Sequence, residues 1–98
     1  MGALPTTAVV GVIGAGTMGA GIAQVAAQAG HRVLLFDAAP GAAQIGIERT
    51  AKGLRKLVAR NKISAEACES TLARLLPCDN IEELEAKYRW LPKLVISD

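Results

Sequence analysis

Ala8 to Asp37 reads AVVGVIGAGTMGAGIAQVAAQAGHRVLLFD, and this stretch decides the fold. Ala8 to Ile13 is a short β-branched run flanked by glycine, the pattern of a strand buried on both faces of a parallel sheet. From Thr17 to Ala29, Met18, Ile22, Val25, Ala26 and Ala29 recur at helical spacing, and Gly30 stands where a left-handed residue ends a helix. Arg32 to Phe36 is a second compact apolar run, ended by Asp37. Strand, helix, strand over roughly thirty residues is a βαβ unit, and its crossover is expected to be right-handed.

The turn between the first strand and the helix is Gly14-Ala15-Gly16-Thr17-Met18-Gly19, a GxGxxG pattern. In a chain rich in small residues the pattern alone says little, but its place gives it meaning. The first glycine permits a tight turn off the strand, the second lets a pyrophosphate approach the backbone, and the third lets the helix pack closely on the strand. Amides at the helix N-terminus then face the phosphates, and the helix dipole adds to their attraction. Asp37, at the carboxyl end of the second strand, is placed to accept hydrogen bonds from the adenosine ribose. A merely tight turn and a solvated loop acid are the competing readings. Ala38 and Ala39 offer no cation for a 2′-phosphate, so the expected cofactor is NAD in preference to NADP. The candidate cofactor-binding set is Gly14, Ala15, Gly16, Thr17, Met18, Gly19 and Asp37.

Working outward, 98 residues hold one domain, and 11 Lys+Arg against 9 Asp+Glu leave a net charge of +2. That balance, with only 3% aromatic residues, gives no footprint for nucleic acid. Cys68 and Cys78 form neither a CxxC pair nor a cluster with histidine, so reduced thiols in a cytoplasmic protein are expected, with no disulfide framework and no metal site. No charged residue precedes Arg32, yet a signal peptide lacks its basic region, and repeated glycines with Gln24 and Gln28 break up any membrane span. Met1, Gly2 and Thr6 match a myristoylation pattern too short to carry weight.

Downstream, Pro40 suits the first turn of a helix, and Ala43, Ile47, Ala51, Leu54 and Val58 recur at helical spacing. Gln44 to Lys62 carries six Lys or Arg against the single Glu48, either a solvated face or a landing site for a polyanion. Asn61 to Ile63 reads as a turn. Ser64 is a good N-cap for a helix whose apolar face would be Cys68, Leu72, Leu75 and Leu76, antiparallel to its predecessor. A short strand around Cys78, a small helix near Ile81 to Ala86 and a last strand from Leu94 to Ser97 follow. His31, the only histidine, precedes the second strand at the edge away from the ligand crevice, so a surface turn residue is expected there. No Ser, Cys or Lys has a base partner, and no catalytic constellation is visible.

Val12 to Asp37 closely resembles the opening of the NAD-dependent 3-hydroxyacyl-CoA dehydrogenases, including 3-hydroxybutyryl-CoA dehydrogenases; Met18 to Gln24, MGAGIAQ, goes beyond a generic dinucleotide loop. That family also inserts a basic helical hairpin after the second strand, and Gly53 to Pro77 looks like it. The resemblance covers roughly residues 8 to 86 and implies a Rossmann-type, doubly wound parallel α/β sheet with an inserted helical hairpin. It further implies that residues 1–98 are the N-terminal portion of the dinucleotide-binding domain, ending after the fourth strand, without the family's helical dimerisation domain. Family members oxidise the 3-hydroxyl of an acyl-CoA by hydride transfer to NAD, using a histidine, glutamate, serine and asparagine that would all lie beyond residue 98. In the hairpin, the family's serine and lysine contacts to CoA align with Gly53, which has no hydroxyl, and Arg60. Arg60, by that alignment, and Lys56, from the same basic run, are the candidate contacts to an acyl-CoA substrate. Lys87 to Lys93 is longer than the family's connection, with Lys93 where an acid is usual and Ser97 where glutamate is usual. A non-catalytic dinucleotide- or CoA-binding module is the alternative. With strand order 3-2-1-4, Leu94 to Ser97 forms an exposed edge, from which self-association is expected.

Overall fold

The computed structural model describes Pro5 and residues 7–97; the myristoylation pattern falls outside this range. Four strands and four helices follow in the order β1 (Val9–Ile13), α1 (Thr17–Gln28), β2 (Val33–Phe36), α2 (Ala42–Ala59), α3 (Ala65–Ala73), β3 (Leu75–Cys78), α4 (Glu82–Tyr88) and β4 (Lys93–Ser97). The strands form one parallel sheet in the order β3-β2-β1-β4. Val10 lies opposite both Val33 and Leu94, and Leu34 lies opposite Leu76.

Strand side chains alternate between two cores, as a period of two requires. Val10, Val12, Val33, Leu35 and Leu75 face α1 and α2, where Ala15, Ala23, Ala27 and Ala43 complete the cluster. The α1 residues of that cluster are alanines, which lets α1 lie close to the sheet. Val9, Leu34, Cys78 and Leu84 form the second cluster under α4, joined by Phe36, Leu76 and Tyr88. Covering β2 on both faces explains why it reads as a continuous apolar run.

Three details of the helical hairpin differ from the sequence reading. Pro40 lies in the turn ahead of α2, which begins at Ala42 behind Gly41, a residue at φ 78° that only glycine adopts without strain. The helix ends at Ala59 and not at Lys62, because Arg60 caps it and Asn61 turns left-handed at φ 57°. Leu75 and Leu76 belong to β3 and not to α3: α3 stops at Ala73, and pairing with β2 draws the next residues into the sheet. Ser64 does cap α3, its Oγ accepting from the Ala67 amide at 3.0 Å. Leu54 and Cys68 are fully buried in the hairpin.

His31 is also corrected. It is buried, and its Nδ1 donates to the Ala8 carbonyl at 3.0 Å, tying the start of β2 to the start of β1. Gly30 takes the left-handed conformation expected at the end of α1, with φ 105°. Among the described residues, no helix is long and apolar enough to cross a membrane.

Candidate functional site

The carboxyl ends of β1 and β2 and the amino end of α1 converge on the glycine loop. Gly14 sits at φ 106° and its amide donates to the Phe36 carbonyl at 2.8 Å, so the turn off β1 is fastened to the end of β2. A Cβ at Gly19 would be driven into the Gly14 carbonyl, which is why α1 can start this close to the strand only with glycine there. Gly16 differs from both. Its backbone is ordinary, at φ −69°, and a Cβ there would meet nothing within 4 Å. The space beyond Gly16 is open, and the amino end of α1 has no side-chain cap, so amides with a positive dipole end face it. Gly16, Thr17 and Met18 are exposed.

Asp37 holds this loop from the side. Its Oδ2 accepts from the Ala15 amide at 2.8 Å and its Oδ1 from the Ala39 amide at 2.8 Å. Those amides, Ala15 first and Ala39 second, hold its carboxyl below the usual aspartate value against a smaller opposing effect of burial. The carboxylate is therefore ionised and oriented at the loop, and each oxygen keeps a lone pair for a further donor. A cavity of about 440 Å³ adjoins it, with Ala38, Ala39, Gln44 and Asp79 in its wall and no cationic side chain. An additional phosphate here would meet two carboxylates.

Gly46 was not singled out by the sequence. A Cβ there would lie 3.0 Å from the Ala15 carbonyl oxygen and 3.3 Å from Leu35 Cδ2, so α2 supports the loop from behind by backbone contact. The signal that could have found it is a small residue on the buried face of a helix, one turn from Ala43. Lys56 and Arg60 are exposed and are not brought to the loop. Lys56 stands ten residues beyond Gly46, about 15 Å along the helix axis. Among the described residues no group of His, Cys, Asp or Glu could hold a metal ion.

A parallel sheet in this order, with a glycine loop opening α1 and an acid closing β2, defines a Rossmann-type dinucleotide-binding fold. The family model described as 3-hydroxyacyl-CoA dehydrogenase, NAD binding domain, matches residues 9–93, and the chain belongs to that family. The chain is 51% identical over 77 residues to 3-hydroxyadipyl-CoA dehydrogenase of Escherichia coli, covering 79% of this chain and 16% of that protein. It is 39% identical over 74 residues to a probable 3-hydroxybutyryl-CoA dehydrogenase of Bacillus subtilis, covering 76% and 26%. The crystal structure of (S)-3-hydroxybutyryl-CoA dehydrogenase from Ralstonia eutropha superposes with a TM-score of 0.80 at 34% identity, over 92% of this chain and 30% of that one. The chain thus spans about a quarter or less of the length of these curated relatives. The expectation of NAD agrees with the description of the family.

Proposed function

We propose that residues 1–98 form the N-terminal, cofactor-holding portion of an NAD-dependent 3-hydroxyacyl-CoA dehydrogenase, in which the complete protein transfers hydride between NAD and the 3-hydroxyl or 3-keto group of an acyl-CoA. The loop from Gly14 to Gly19 receives the pyrophosphate on the exposed amides of Gly16, Thr17 and Met18, and Asp37 receives the hydroxyls of the adenine ribose. The nicotinamide, when bound, supplies the hydride acceptor; this chain's residues bind and orient. The observation that carries the reading is the Asp37 carboxylate, ionised and fixed to the Ala15 amide of a loop whose outer side is open at Gly16.

Calorimetric titration tests it. NAD should bind more tightly than NADP, and Asp37→Ala should weaken NAD roughly ten- to a hundredfold while NADP loses less, since charge-assisted hydrogen bonds to the ribose disappear. Equal affinities of the two cofactors in the wild type would remove Asp37 from the site. With NADH and acetoacetyl-CoA the 98-residue chain should show no turnover, and appreciable turnover would place catalytic residues within it.

The partners of this reading are an acyl-CoA, attracted by Lys56 and Arg60, and a second copy of the chain, in the cytoplasm. Self-association is supported by β4, an edge strand whose Leu94 and Val95 are 41% and 48% exposed. Sedimentation should reveal dimers at high concentration; a strictly monomeric profile counts against strand pairing.

A further inference from the structure

The edge of the sheet opposite the glycine loop gathers two arginines with no acid between them. Because all four strands are parallel, Thr7 ahead of β1, Arg32 ahead of β2, Arg74 ahead of β3 and Leu91 ahead of β4 arrive at the same edge. With Val9 and Gly30 they line one cavity of about 270 Å³. Arg32 is laid over the Tyr88 ring, 5.4 Å from its centroid. The Arg74 backbone is fixed on both sides, its amide donating to the Thr71 carbonyl and its carbonyl accepting from Val33.

Arg74 Nη1 is buried and has no hydrogen-bond partner among the described residues. Of the three acids of α4, Glu83 pairs with Lys87 and Glu85 with Lys93, and among the described residues no carboxylate forms an ion pair with Arg32 or Arg74. A buried donor without an acceptor is costly, and a guanidinium cannot relieve the cost by giving up its proton. Water in the cavity would leave the two positive charges of Arg32 and Arg74 uncompensated beside it. An oxyanion in the cavity answers that charge, since its oxygens match the planar fork of a guanidinium and its charge matches the pair.

The geometry points to a binding site for a small phosphate-type oxyanion at the amino edge of the sheet, held by Arg74 and Arg32 and separate from the glycine loop. A dianion fits the two guanidiniums better than a single carboxylate does. The site is independent of the cofactor reading, because it lies at the opposite ends of the strands.

The test is a two-dimensional amide NMR titration of the 98-residue chain with inorganic phosphate, at ionic strength held constant with chloride. The amides of Thr7, Gly30, Arg32 and Leu91 should shift saturably, with a Kd on the order of 1–10 mM. Arg74→Gln should weaken this at least tenfold. Arg32 is exposed, so Arg32→Gln keeps the fold and should weaken it at least threefold. Shifts at Gly14 to Gly19, where phosphate also finds amides, should persist in both variants. Acetate should bind the arginine edge at least tenfold more weakly than phosphate. Shifts confined to Gly14 to Gly19, an Arg32→Gln protein that titrates as the wild type does, or acetate equal to phosphate would each overturn the assignment.

Discussion

Gly46 and Gly53 lie in the same helix and invite opposite outcomes from the same substitution. A Cβ at Gly53 meets nothing within 4 Å, so Gly53→Ala gains helix propensity alone. That is worth about 1 kcal/mol, or roughly 4–8 °C in Tm for a domain of this size. A Cβ at Gly46 lies 3.0 Å from the Ala15 oxygen and 3.3 Å from Leu35 Cδ2, so a neighbour must move by a few tenths of an ångström. Leu35 is 1% exposed and hemmed in by the core, which leaves the glycine loop to move. Overpacking of this kind costs about 1–3 kcal/mol, which cancels or exceeds the helix gain. Gly46→Ala should therefore melt at least about 4 °C below Gly53→Ala. Its displaced loop should bind NAD roughly three- to tenfold more weakly, while Gly53→Ala binds as the wild type does. Thermal melts and calorimetric titration of the two variants decide it. Equal melting temperatures together with unchanged NAD affinity would mean that α2 does not brace the loop, and the account of Gly46 would fail.

Other perturbations have equally direct readings. Leu54→Ala, at a fully buried position of the hairpin, should cost about 2–5 kcal/mol in urea unfolding; a loss near zero would contradict its burial. The Asp37 carboxyl is held below its ordinary value in the folded chain, so its stabilisation is full above the unfolded value of about 3.9 and is lost as pH falls through the native one. Wild type should thus be more stable than Asp37→Asn at pH 7, with the difference narrowing at pH 3, and a gap independent of pH would refute the linkage. In the complete enzyme, replacing Lys56 and Arg60 with Ala should raise KM for acyl-CoA with little change in kcat, an effect that shrinks in added salt. An unchanged KM would leave these residues as solvated surface.

The βαβ unit was readable because three signals coincide within one stretch: an apolar run, a glycine turn and an acid at the next strand's end. The strand order 3-2-1-4, taken from the doubly wound pattern and not from those signals, is the one the sheet adopts. Leu75 and Leu76 were misread because a short apolar run continues the helical spacing of Cys68 and Leu72 as well as it begins a strand. Only pairing with β2 separates the two possibilities, and pairing is not local. His31 failed for the same reason, since its partner is the Ala8 carbonyl, twenty-three positions earlier. In the candidate site, the loop and Asp37 were legible by position. The Ala15 to Asp37 hydrogen bond and the support from Gly46 are contacts across the fold that no spacing encodes.

Pro77 gives the sheet a handedness of growth. Along a strand, successive residues present their N–H and C=O groups to alternate sides, and the Arg74 carbonyl points inward to Val33. Pro77, three residues on, therefore turns its nitrogen outward, where it has no hydrogen to offer. The β3 margin thus lacks one of its outward donors, while β4 has no proline along its length. In the proposed strand pairing, β4 meeting β4 is therefore favoured over pairing through β3. A β4-to-β4 pairing is two-fold and closes on itself, so Pro77 disfavours growth of such a pair into a fibre.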